Sequence, residues 1–160
     1  MYQTKNDLPE ATRTRAIDLL NARLADSIDL QTQVKQAHWN VKGPDFIALH
    51  KLFDEIAEDV EEYVDLIAER AVQLGGTAEG TARTAAKNSS LPEYPHGIGA
   101  GRQHVEGLSS VLATYGKQVR AAIKSTDQLD DADTADLFTE ISRGVDKWLW
   151  FVEAHLQTAQ

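Results

Sequence analysis

Between Pro44 and Gly76 the chain reads PDFIALHKLFDEIAEDVEEYVDLIAERAVQLGG, and Leu49, Leu52, Phe53, Ile56, Val60, Tyr63, Ile67 and Leu74 recur every three or four positions. This is the period of one long amphipathic helix that buries one face. At about 100° per residue, His50, Asp54, Glu58, Glu61, Asp65 and Glu69 form a single stripe on the opposite side. Surface helices ordinarily alternate acids with lysines four residues away, but no cation interrupts this stripe from Asp54 to Glu69. Like charges at that spacing repel, so either solvent screens the stripe or a cation neutralises it. Its close pairs, His50/Asp54 and Asp65/Glu69, suit a hard or borderline metal ion.

Asp54 and Asp65 are eleven residues apart, about 16 Å along a straight helix. Within one chain the two pairs cannot hold the same ion. A second copy running antiparallel about a two-fold axis near Asp59 and Val60 brings His50/Asp54 of one chain to Asp65/Glu69 of the other, and does so twice. Spacing thus allows a metal site shared between subunits.

The rest of the chain bounds the fold. Its 160 residues are read as one domain, 1–160, opening with a short mobile segment, 1–6. Asp7-Leu8-Pro9-Glu10 carries the marks of a helix start, and the first helix is predicted to run to about Trp39. Its inward face is Ile17, Leu20, Leu24, Ile28, Gln31, Val34 and His38. On the residues alone, His38 reads as a structural histidine at the end of that face. Gly43 and Pro44 break the chain, and so short a connection makes the first two helices antiparallel neighbours. Residues 77–98, with a short helix near Ala82 to Lys87, are long enough for a crossover. A third helix is expected from about Gly101 to Ser125. The fourth is expected from about Asp133 to Gln157, with Leu137, Ile141, Val145, Trp148, Leu149, Val152 and Leu156 inward. No strand signal is convincing, and the fold class is all-α, a four-helix bundle.

Composition narrows function. There is no cysteine, which excludes disulfides and thiolate chemistry and is compatible with a reducing cytoplasm. No apolar run is long enough to span a membrane. A net charge of −9 opposes non-specific binding to nucleic acid. Asp133, Asp136 and Glu140 share a face of the last helix and read either as acids at a helix N-terminus or as a lining for cations. Glu93-Tyr94-Pro95-His96 contains an accidental Glu-x-x-His outside any helix. His96, His104 and His155 have no assigned role.

Gln36-Ala37-His38-Trp39-Asn40-Val41-Lys42-Gly43, followed by Phe46, His50, Asp54, Asp65, Glu69-Arg70-Ala71 and Leu74-Gly75-Gly76, closely resembles the Dps proteins, or mini-ferritins. The family pattern His-x11-His-x3-Asp-x10-Asp-x3-Glu is met at every position. Asp133-Thr134-Ala135-Asp136 and Lys147-Trp148-Leu149-Trp150-Phe151 extend the resemblance to essentially the whole chain. It implies a ferritin-like four-helix bundle, with a short extra helix in the long connection between helices two and three, assembled as a hollow dodecamer. It also implies ferroxidase centres at two-fold interfaces, with His38, His50 and Asp54 from one chain and Asp65 and Glu69 from the other. His38 thereby becomes a ligand.

The implied chemistry is oxidation of Fe(II), by hydrogen peroxide in preference to dioxygen, and storage of ferric mineral in the shell. Zinc can stand in for iron in a crystal. Trp39 is assigned a role in electron transfer or in absorbing stray oxidising equivalents, with core packing as its alternative. Asp133, Asp136 and Glu140 are assigned to an iron inlet. The family's DNA-binding members often carry lysine-rich tails, whereas Lys5 is the only lysine before the first helix here. Little DNA binding is therefore expected, and the expected location is the cytoplasm, with nucleoid association as a variant. The competing readings are a DNA-condensing stress protein with secondary metal binding, and a pure metal binder, for instance of zinc. Helical Glu-x-x-His motifs, which place a di-iron site inside one bundle, are absent.

Overall fold

The computed structural model describes residues 1–157, in which five helices carry the chain: α1 (Glu10–Asn40), α2 (Phe46–Gln73), α3 (Ala82–Asn88), α4 (Gly101–Asp127) and α5 (Ala132–Glu153). Two antiparallel hairpins, α1–α2 and α4–α5, pack together chiefly through α1 against α4 and α2 against α5, while α3 lies across α1. The 77–98 segment is the crossover that joins the hairpins. This is the expected ferritin-like bundle, and the short helix falls where glycine, alanine and threonine had left room for one.

Helix ends show where local sequence rules yielded. Asp7 does not cap α1: the N-cap is Pro9 without a side-chain bond, and Asp7 is exposed. Instead the Asn6 side chain accepts from the Leu8 N–H at 3.0 Å. At the other end of the chain, Asp131 caps α5 by accepting from the Thr134 N–H, and the helix stops at Glu153 rather than Gln157. On α5 Ile141, Val145, Trp148 and Val152 are buried as expected; Phe138 is fully buried beside them, and Leu137 is only partly buried against the core.

The segment ahead of α1, expected to be mobile, is tied down at Tyr2, whose N–H donates to the Gly75 carbonyl at 2.7 Å. Gly75 has φ +87°, and a Cβ there would lie 2.7 Å from the Tyr2 carbonyl oxygen, so this turn requires glycine. Buried polar contacts pin the crossover. Asp26, wholly buried on α1, pairs with Arg23 at 2.7 Å and accepts from the Ser90 N–H at 2.7 Å. Ser89 Oγ donates to Asp29 at 2.6 Å.

Candidate metal centre

The C-terminal turn of α1 and the N-terminal turn of α2 lie side by side because the connection between them is so short. His38 and His50 stack there, with ring centroids 3.8 Å apart and an interplanar angle of 21°. Each ring turns its Nδ1 to the main chain of the other. His38 Nδ1 is 2.8 Å from the His50 carbonyl oxygen, and His50 Nδ1 is 2.9 Å from the His38 carbonyl oxygen. A carbonyl only accepts, so both Nδ1 atoms carry the proton, and in the neutral rings both Nε2 atoms keep a free lone pair. This is how metal-ligating histidines are commonly oriented.

Asp54 completes the group one helical turn after His50. Its Oδ1 lies 3.8 Å from His38 Nδ1 and 2.6 Å from Lys35 Nζ. The hydrogen bond from Lys35, aided by the nearby imidazoles, holds the carboxyl below the usual carboxylate range against a smaller opposing effect of desolvation. Asp54 is thus ionised and already paired. Lys35 was missed in the sequence because it belongs to α1, although its position three residues before His38 places it on the same helix face. Phe46 flanks His50 with a centroid separation of 5.1 Å. Trp39 is 67% exposed in the single chain, so its alternative of core packing fails here.

Asp65 and Glu69 lie at the other end of α2, exposed on the same side as Glu58 and Glu61. Among the described residues the ion pairs that α2 makes fall instead on Asp54, Asp59 and Arg70. Among the described residues no three histidine, aspartate or glutamate side chains converge in one chain as a metal cage. One chain therefore presents two partial donor sets separated along one helix. The first offers two imidazole nitrogens and a carboxylate and the second two carboxylates, so the residues fit a divalent iron substrate.

At the start of α5, Asp133, Asp136 and Glu140 are exposed. The buried acid is Asp131, which accepts from Arg70 Nη2 at 2.9 Å and from Thr134 Oγ1 at 2.6 Å. Arg70 Nη2 also lies 3.9 Å from Asp133. His96 makes an exposed pair with Glu93, and His155 Nδ1 lies near the Phe151 carbonyl. His104 is buried against the Tyr94 hydroxyl at 2.7 Å, and burial pushes its pKa down.

An all-helical bundle with paired donors on its second helix defines a ferritin-like protein, and the family model described as a ferritin-like domain matches residues 17–160. A DNA protection during starvation protein from Agrobacterium fabrum is 44% identical over 98% of this chain and 96% of its own length. Mycobacterium smegmatis Dps superposes with a TM-score of 0.94 at 31% identity, covering 99% of this chain and 90% of that one. Dps from Microbacterium arborescens, in a form described as high-iron, gives a TM-score of 0.86 at 33% identity over 96% of this chain and 97% of that one. The chain belongs to the Dps family of ferritin-like proteins. Among the described residues no helix is long and apolar enough to cross a membrane.

Proposed function

We propose that this protein is a ferroxidase and iron store whose centres form between subunits. His38, His50 and Asp54 of one chain face Asp65 and Glu69 of a second, and a dodecameric shell collects the ferric product. The carrying observation is the reciprocal Nδ1 anchoring of His38 and His50, which leaves both Nε2 atoms free beside an ionised Asp54. The separation of the two donor sets along α2 supports a shared site, since an isologous dimer brings them together twice.

Fe(II) bound by imidazole and carboxylate retains open positions for an oxidant. Hydrogen peroxide is the preferred one: it takes up two electrons from two Fe(II) ions and leaves no radical. Ferric ions then hydrolyse and mineralise. Asp133, Asp136 and Glu140 serve as the inlet, where an acidic surface raises the local cation concentration. Trp39, exposed beside His38, passes electrons or takes up stray oxidising equivalents. A relative described as high-iron supports iron as the substrate.

The test is stopped-flow oxidation of Fe(II) with peroxide and with dioxygen. His50→Ala or Asp54→Ala should slow oxidation by more than the roughly 10–100-fold typical of losing a supporting partner of a metal ligand, with the assembly intact by light scattering. Wild-type rates in both variants overturn the reading, and a protein that binds zinc but never oxidises iron is a metal binder. The relative's name, DNA protection during starvation protein, favours a second reading in which the shell shields DNA.

A further inference from the structure

Trp148 is buried at 4% exposure on α5, but it is not a purely apolar core residue. Its indole N–H donates to Asp59 Oδ2 on α2 at 2.8 Å. Lys147 Nζ lies 3.8 Å from the Trp148 ring centroid and 3.6 Å from the same carboxylate oxygen. Tyr63 lies one turn after Asp59, and its hydroxyl packs so closely on Gly144 that no Cβ fits there. Burial, and then the Asp59 charge, push the Tyr63 phenol up to about 12, so it keeps its proton. An oxidisable indole, a carboxylate on its N–H and a protonated phenol therefore meet where α5 crosses α2.

Asp59 lies between the two donor sets of α2. On ideal helix geometry its Cα is about 9 Å from that of Asp54 and about 10 Å from that of Asp65. It faces α5, on the flank of α2 away from the acidic stripe, so its hydrogen bond joins Trp148 to the middle of the helix that carries both donor sets.

We infer that Trp148 is a one-electron relay for iron oxidation, with Asp59 as its proton acceptor; this rests on the ferroxidase reading above. When a centre holds a single Fe(II), its electron cleaves the O–O bond of peroxide, giving Fe(III), hydroxide and hydroxyl radical. Trp148 supplies the second electron and the radical becomes hydroxide. The indole N–H bond breaks and its proton passes to Asp59, leaving a neutral indolyl radical. A second Fe(II) then reduces that radical, and Asp59 returns the proton. The sum is two Fe(II) oxidised and one peroxide reduced to two hydroxides, with the protein unchanged. Lys147 over the ring disfavours a positive charge there, so electron loss requires proton loss, and the carboxylate 2.8 Å away receives that proton.

The test has two arms. In the first, the protein with substoichiometric Fe(II) is mixed with peroxide, freeze-quenched and examined by electron paramagnetic resonance. The expected result is a tryptophanyl signal in wild type that persists in Trp39→Phe/Trp150→Phe and disappears in Trp148→Phe. Spin-trapped hydroxyl radical should rise several-fold in Trp148→Phe, and the iron oxidised per peroxide should fall from two toward one. In the second arm, iron-free Trp39→Phe/Trp150→Phe protein is oxidised by photogenerated sulfate radical. The neutral indolyl radical should form promptly, and Asp59→Asn, which keeps an acceptor for the N–H, should leave a long-lived radical cation. A purely structural hydrogen bond would move neither readout. An unchanged signal in Trp148→Phe, or equally prompt neutral radical in Asp59→Asn, overturns the relay. A protein that oxidises no iron overturns the ferroxidase reading, and with it the relay, even if the second arm shows proton transfer to Asp59.

Discussion

Lys35 keeps Asp54 ionised, but it does so by occupying the carboxylate that a metal ion needs. The two effects separate with pH. Because the carboxyl is held below its ordinary value, the ionised form survives into acid and is lost only as the pH falls through that lowered value. Replacing Lys35 with Met removes both the competitor and the depression. Co(II) affinity at neutral pH should equal or exceed that of wild type, yet fade at a higher pH on acidification, beginning near the ordinary aspartate value of about 4. Isothermal titration at a series of pH values measures this; an affinity that falls at neutral pH would make Lys35 a support rather than a competitor. His38 shows what the residue scale conceals. From the chain alone it closes an apolar stripe and reads as structural. Its Nδ1 contact to the His50 carbonyl, twelve positions on, could not be read from helical spacing, which orders residues within one helix and not across two.

At the scale of elements, Arg70 joins the end of α2 to the start of α5. Its Nε donates to Thr134 Oγ1 and its Nη2 to Asp131, both at 2.9 Å, and Asp131 in turn caps α5. Arg70→Ala would strand a buried carboxylate, a change that typically costs about 3–5 kcal/mol. The midpoint of urea unfolding should fall accordingly, with the first turn of α5 losing amide-exchange protection before the rest. Helix existence was legible here because long apolar periods survive any context. Helix ends were less so. Asp7 had every local mark of a cap, yet the chain before α1 folds back to Gly75 and Asn6 makes the turn instead. Helical spacing groups Asp133, Asp136 and Glu140, and all three are exposed; it gives no sign of Asp131, which packing buries with Arg70.

At the scale of the whole molecule, those exposed acids and the net charge of −9 make opposite demands on ligands. Cations are drawn in and polyanions repelled. Asp136→Asn/Glu140→Gln should slow iron uptake at low Fe(II), where delivery limits the rate, and leave saturating oxidation unchanged. Uptake traces that superimpose on wild type would reduce these residues to helix-end acids. For DNA, phosphate binding requires several cations presented together, and Lys5 is the only lysine ahead of α1. A gel-shift titration should show no plasmid retention at about 0.15 M salt, where screening shortens the reach of surface charge to about 8 Å. Weak retention at low ionic strength would fit avidity between copies. Retention at sub-micromolar protein and physiological salt would instead favour the DNA-shielding reading.

The sequence by itself determined the bundle and the candidate donors. Apolar period, chain breaks and ligand spacing are properties of neighbours along one helix, where geometry follows from counting. Tertiary structure decided the states of those donors. It set the Nδ1 protons of His38 and His50, the pairing of Lys35 with Asp54 and the seat of Trp148 on Asp59. Each joins residues on different helices, and such contacts depend on how helices cross, rotate and end. A periodic pattern limits those variables only to within a turn, whereas a hydrogen bond requires them to within a few tenths of an ångström.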